Sequence, residues 1–112
     1  AFTASDFGRT LSSNGDGSDH GWGSHHFMVG GAVKGRAFYG KAPPVSITNT
    51  ADANDQWHVG QGRLLPSTSV DQYAAILAKW FGVSNTELAG VLPNLSHFGG
   101  ADYPTDLGFM AA

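Results

Sequence analysis

One stretch of this chain has the period of an α-helix, and glycine punctuates the remainder so often that few other regular elements fit. From Ser69 onward Val70, Tyr73, Ala74, Leu77, Trp80 and Phe81 recur at helical spacing. Ser69 and Gln72 form a capping-box pattern, and Gly82 supplies a stop. The spacing predicts a helix of about three turns with one apolar face, on which Trp80 and Phe81 pack as core. A second capping-box pattern, Ser84 with Glu87, predicts a shorter helix through Leu88 and Ala89, closed by Gly90 and Pro93.

The glycine-rich remainder reads mostly as loop. Between Asp6 and Gly23 stand five glycines (Gly8, Gly15, Gly17, Gly21 and Gly23) among Ser, Asn, Asp and His, a composition expected to form a long loop rather than regular structure. His26–Val29 and Ala37–Tyr39 are short strand-like runs, and a turn at Lys34-Gly35 would join them as a hairpin. Val45–Thr48 is β-branched enough to pair at a sheet edge, His58 and His97 read as partly buried hydrogen-bonding residues, and Leu107–Met110 as a segment that docks near the end. Trp22, flanked by glycines, suits either the lining of a pocket or a plug over a sheet edge. Ala1–Ala4 resembles a strand entered without a turn or cap, which reads as a piece of a longer protein. There is no internal repeat or linker, so residues 1–112 form a single segment.

Composition narrows the function classes. A chain of 112 residues is one domain or part of one. Six Lys plus Arg, scattered from Arg9 to Lys79 against nine Asp plus Glu, lack the clustered positive charge that nucleic-acid binding requires. No apolar run approaches the roughly 20 residues of a membrane-spanning helix. With no Cys, disulfides, thiolate metal ligands and Cys nucleophiles are all excluded, while the compartment stays open.

The densest chemical cluster is Asp16, Asp19, His20, His25 and His26, on a flexible stretch whose imidazoles and carboxylates suit a divalent metal; the other reading is a polar surface loop whose His are solvated or whose Asp and Ser side chains cap nearby turns. An EF-hand reading of Asn14, Asp16 and Ser18 fails, because Asp19 stands where that loop needs Gly and His25 where it needs Glu. No Gly-x-Ser-x-Gly elbow accompanies the many serines.

Several words in fixed order carry a resemblance: Ser5-Asp6-Phe7-Gly8-Arg9-Thr10, Asn14-Gly15, Ser18-Asp19-His20-Gly21-Trp22-Gly23, His25-His26, Gly30-Gly31-Ala32-Val33-Lys34-Gly35, Tyr39-Gly40, Gly62–Ala74, Trp80-Phe81-Gly82, Phe98 and Leu107-Gly108-Phe109. Across nearly its whole length the chain resembles the C-terminal part of the exported, sulfatase-like family called domain of unknown function fifteen-oh-one, itself similar to the alkaline phosphatase and sulfatase superfamily. The resemblance implies an α/β fold: the C-terminal portion of an alkaline-phosphatase-like three-layer α/β/α architecture, loop-rich, with a hairpin and one clear amphipathic helix. It further implies a divalent metal (Zn, Mn, Mg or Ca), with Asp19 and His20 matching the superfamily's metal-binding pair, Asp6 its upstream Asp, and His25 or His26 its downstream ligand.

Arg9 stands where the superfamily's metal-dependent phosphomutases place a His, and a guanidinium does not ligate metals. It could instead hold an anionic substrate oxygen, or pair with Asp6 or Asp19. The nucleophile would lie in an N-terminal remainder of the same protein, so this segment alone should be inactive. The expected whole is a twin-arginine-exported, periplasmic or extracellular hydrolase of phosphate or sulfate esters acting on an anionic small molecule. The alternatives are a catalytically degenerate member serving in binding or surface assembly, and an independent domain using its glycine-rich loop as a partner surface.

Overall fold

The computed structural model describes residues 1–112 and divides them into two units, one of residues 1–27 with 41–67 and one of residues 28–40 with 68–112. Its regular elements are a two-stranded antiparallel sheet and two α-helices, a small mixed α/β arrangement. No helix is long and apolar enough to cross a membrane.

In the first unit, the stretch read as loop folds into a hairpin. Strand β1 (Gly8–Ser13) pairs with β2 (Ser18–Gly21) in the register Gly8↔Gly21, Arg9↔His20 and Ser13↔Ser18, with an irregularity between Arg9 and Ser13. The cause is local: Asn14-Gly15-Asp16-Gly17 is a turn sequence, Gly15 sits at φ +96°, and Asn14 N–H donates to Gly17 O at 3.0 Å. Glycines that looked like sources of disorder supply the turn and also the contacts. A Cβ at Gly8 would stand 2.2 Å from Gly23 O, so only glycine lets these backbones meet.

Nothing apolar is buried in this unit. Its buried side chains are Thr10, Asp55 and His58, so hydrogen bonds rather than an oily core hold it. The 3₁₀ turn Ala53–Trp57 is capped by Asp52, whose carboxylate accepts from Asn54 N–H at 2.8 Å. The expected edge strand Val45–Thr48 does not form, because the hydroxyls of Ser46 and Thr48 turn to Asp55 while Val45 and Ile47 face solvent.

The second unit carries the apolar core. Helix α1 (Val70–Phe81) has the full capping box: Ser69 Oγ accepts from Gln72 N–H at 3.1 Å, and Gln72 Oε1 accepts from Ser69 N–H at 2.8 Å. Gly82 closes it at φ +108°. The buried stripe is Gln72, Ala75 and Ile76, displaced around the axis from the predicted one, and Trp80 and Phe81 are exposed rather than core. Gln72 explains the rotation: its cap role draws it inward, and its Nε2 donates to Pro104 O at 2.6 Å.

Helix α2 (Asn85–Val91) runs through Gly90, read as a stop, and Pro93 instead opens a 3₁₀ turn, Pro93–His97, with His97 exposed. The hairpin expected between His26–Val29 and Ala37–Tyr39 is not formed. Lys34 N–H donates to Phe109 O at 2.9 Å, Ala111 N–H to Ala32 O at 2.7 Å, and Val33 bridges Met110. The segment Leu107–Met110 thus docks on Ala32–Lys34, the stretch read as the connection of that hairpin, while Phe27 O accepts from Thr3 N–H. Phe109 is buried between Tyr39 and Tyr73, with ring centroids 6.0 and 5.9 Å away.

Candidate functional site

The residues singled out in sequence gather on and beside the β1–β2 hairpin, without converging on one point. Ladder pairing sets Arg9 opposite His20. The His20 ring stacks on Phe7, centroids 3.7 Å apart and planes inclined by 12°, and the Arg9 guanidinium carbon lies 5.2 Å from the same ring. Arg9 also donates through Nη1 to Ser18 O at 2.9 Å, which commits one of its five N–H groups to holding its direction. Both side chains are exposed. Phe7 thus contacts both a guanidinium and an imidazole, two groups able to donate to an anion.

Asp19 is turned elsewhere. Its Oδ1 accepts from Asn14 Nδ2 at 2.7 Å, and its own N–H donates to Thr10 Oγ1 at 3.1 Å. Successive strand residues project to opposite faces, and the different partners of Asp19 and His20 agree with that alternation. Asp6 is exposed ahead of β1. The His25 ring meets Phe27 edge-on at 5.6 Å, while Nδ1 of His26 lies 3.2 Å from Thr3 Oγ1. Nowhere do three or more His, Asp or Glu side chains come together as a ligand group. Trp22 is exposed.

The most organised polar cluster belongs to residues that the sequence did not single out together. The Asp55 carboxylate accepts from Ser46 Oγ, from Thr50 Oγ1, from Thr48 Oγ1 at 2.8 and 2.9 Å, and from Thr50 N–H at 2.9 Å. Beside it, His58 Nε2 accepts from Gly62 N–H at 2.7 Å, which puts the ring proton on Nδ1, within 2.9 Å of both Thr48 O and Asn49 Oδ1. The expected hydrogen-bonding role of His58 is therefore what the structure contains. With every polar atom of Asp55 and His58 engaged, the cluster is a fastening for residues 46–62. A signal existed: three hydroxyl residues at alternate positions, Ser46, Thr48 and Thr50, followed five residues later by a carboxylate.

Hydrogen bonds from the Ser46 and Thr50 hydroxyls, then Thr48 and the Thr50 amide, hold the Asp55 carboxyl well below the usual aspartate range. A group whose folded value is depressed stabilises the fold above its ordinary value of 3.8 and loses that contribution as pH falls through the folded value. Acid titration of the first unit should therefore show a loss of stability beginning below about pH 4, which Asp55→Asn flattens. Thermal melts at stepped pH read this directly, and an unchanged slope in the variant would remove Asp55 as its cause.

A protein-family profile described as "Protein of unknown function (DUF1501)" matches residues 1–90, which include the hairpin, the Asp55 cluster and α1. No curated protein and no solved structure matches the chain.

Proposed function

Since the chain belongs to the family described as protein of unknown function DUF1501, we propose that its β1–β2 hairpin is the anion-binding element of an exported phosphate- or sulfate-ester hydrolase related to the alkaline phosphatase and sulfatase superfamily. The observation that supports this reading is the cross-strand Arg9–His20 pair resting on Phe7. In that reading residues 1–112 are the C-terminal portion of a three-layer α/β/α fold, and the nucleophile comes from the N-terminal remainder of the same protein.

The hairpin's share of the chemistry is electrostatic. The fork of N–H groups on the Arg9 guanidinium matches two oxygens of a phosphoryl or sulfuryl group. His20 opposite adds a donor for a third oxygen whenever its facing nitrogen carries a proton. Donors already aimed where negative charge grows stabilise a transition state more than the ground state. The divalent ion of the superfamily fits this hairpin poorly. Asp19 and His20 meet different partners, so as arranged they do not offer one ion two ligands, and a metal at either would draw its other ligands from outside the hairpin.

That same divergence favours a second reading, in which the family member keeps the anion platform for binding or surface assembly without turnover. The intact protein separates the two. Inorganic phosphate or sulfate should bind to wild type and more weakly to Arg9→Gln, and aryl phosphate or sulfate ester turnover should fall by about 10²–10³-fold in the variant. Binding lost in Arg9→Gln, with no turnover in wild type, selects the second reading. Equal anion affinity in the two proteins would sink both.

A further inference from the structure

The turn of the hairpin holds a chemical feature that neither reading uses. Asn14 is the sole asparagine of the chain followed by glycine; Asn49, Asn54, Asn85 and Asn94 precede Thr50, Asp55, Thr86 and Leu95. Three hydrogen bonds engage the Asn14 amide and the Gly15 nitrogen that follows it. Gly15 N–H donates to Ser13 Oγ at 3.1 Å, so a hydroxyl is placed to receive its proton. Asp16 N–H donates to Asn14 Oδ1 at 2.9 Å, so a backbone donor already points at the oxygen on which negative charge would develop. Asn14 Nδ2 is held by Asp19 Oδ1 at 2.7 Å, which fixes the amide's orientation. Gly15 has no heavy atom within 4 Å of a would-be Cβ, so the approach is open to water.

We propose that Asn14 is a self-modification site, where the native turn orients the Asn14 amide for attack by the Gly15 backbone nitrogen. The Gly15 nitrogen gives up its proton through Ser13 Oγ and solvent and forms a bond to Asn14 Cγ, and the tetrahedral oxyanion rests on Asp16 N–H. The Cγ–Nδ2 bond then breaks, and Nδ2 leaves as ammonia with the proton the backbone gave up. This closes a five-membered imide without any oxidant or reductant. Water opens the imide at either carbonyl, giving an aspartate or an isoaspartate linkage at position 14. The other asparagines lack this arrangement. Their following residues carry a Cβ that crowds the attack, and Asn85 and Asn94 sit in helical turns.

The product changes the hairpin's electrostatics. In the aspartate product a carboxylate replaces the Nδ2 donor that faces Asp19, so the 2.7 Å hydrogen bond becomes a like-charge contact, five residues along the chain from Arg9; in the isoaspartate product the side-chain carbonyl enters the main chain and the donor is lost. The conversion is one-way and needs no partner enzyme. It rests on the turn alone and holds whether or not the platform binds an anion.

The test is incubation of the folded chain at mildly alkaline pH, with ammonia release assayed and each asparagine followed by peptide mass mapping and by fragmentation that detects isoaspartate. Conversion should concentrate at Asn14 and proceed no more slowly than in the same chain unfolded in urea. Gly15→Ala should slow it by about tenfold, a barrier change of about 1.4 kcal/mol, and Ser13→Ala should slow it while leaving the Asn-Gly pair intact. Conversion that is faster in the unfolded chain would mean the turn protects the amide, and the proposal would be overturned. So would conversion shared evenly among the five asparagines, or a Ser13→Ala rate equal to wild type.

Discussion

Replacing Phe109 by alanine should lower the stability of the helical unit by about 3–5 kcal/mol, the range for emptying a phenylalanine site in a packed interior. Phe109 is 1 % exposed, and the apolar side chains buried with it in the chain are Ala75, Ile76 and Leu88. So small a core has few neighbours able to collapse into the space, which puts the cost toward the upper end. Two aromatic partners, Tyr39 and Tyr73, would each lose a ring contact. Burial of Tyr73 against this core also raises its phenol above the ordinary range, so loosening the site should bring its titration back toward that of a free tyrosine. Since a small domain has about 5–15 kcal/mol in total, the loss should be visible as faster amide exchange throughout α1. Phe38 provides the contrast, because it is fully exposed, and Phe38→Ala should stay within about 0.5 kcal/mol of wild type. Equal losses for the two variants in urea unfolding would refute the assignment of Phe109 as the centre of the core.

That contrast marks the limit of what periodicity reveals. The start and stop of α1 were legible because a capping box and a left-handed glycine are local devices, decided within a few residues of chain. Which face of the helix is buried was not, because periodicity counts apolar residues and Gln72 is not one of them. Tertiary structure found it a carbonyl on Pro104 and turned the stripe with it, leaving Trp80 and Phe81 in solvent. The docking of Leu107–Met110 was readable from its apolar content, but its partner at Ala32–Lys34 depends on contacts more than 70 residues apart in sequence.

The hairpin was missed for a different reason. A segment dense in Gly, Ser and Asp has weak intrinsic preference for strand. Its pairing is decided by a turn at Asn14–Gly17 and by the close approach of other glycines, features that composition alone counts as disorder. Of the candidate site, the residue types were legible and their arrangement was not. Arg9 and His20 face each other only because of the register, and Asp19 and His20 separate only because adjacent strand residues alternate. The Asp55 cluster leaves only the alternation of Ser46, Thr48 and Thr50 in the sequence, since its donors are common hydroxyl residues whose meaning comes from one carboxylate.

Gly62 shows what holds the hairpin in place, and its replacement should be the most damaging change in the first unit. Leu11 N–H donates to Gly62 O at 3.0 Å, and Gly62 N–H donates to His58 Nε2 at 2.7 Å, so one glycine joins β1 to the buried histidine. It lies at φ +72°, where an alanine costs about 1–2 kcal/mol. An added Cβ would also fall 2.6 Å from Leu11 Cβ and 2.8 Å from Leu11 N, too close for backbone to yield, and forced overpacking of this kind adds about 1–3 kcal/mol. Gly60, two residues earlier, isolates the first of these effects: it sits at φ +99° with nothing within 4 Å of a would-be Cβ. Gly60→Ala should therefore show the conformational cost alone and leave the Leu11 amide protected from exchange. Gly62→Ala should cost more, expose the Leu11 amide and free β1 from the loop, because the chain can meet the steric demand only by separating the two backbones. If both variants lose the same stability and keep Leu11 protected, the close approach at Gly62 is not what fastens the strand, and the hydrogen bonds of β1 with β2 must suffice on their own.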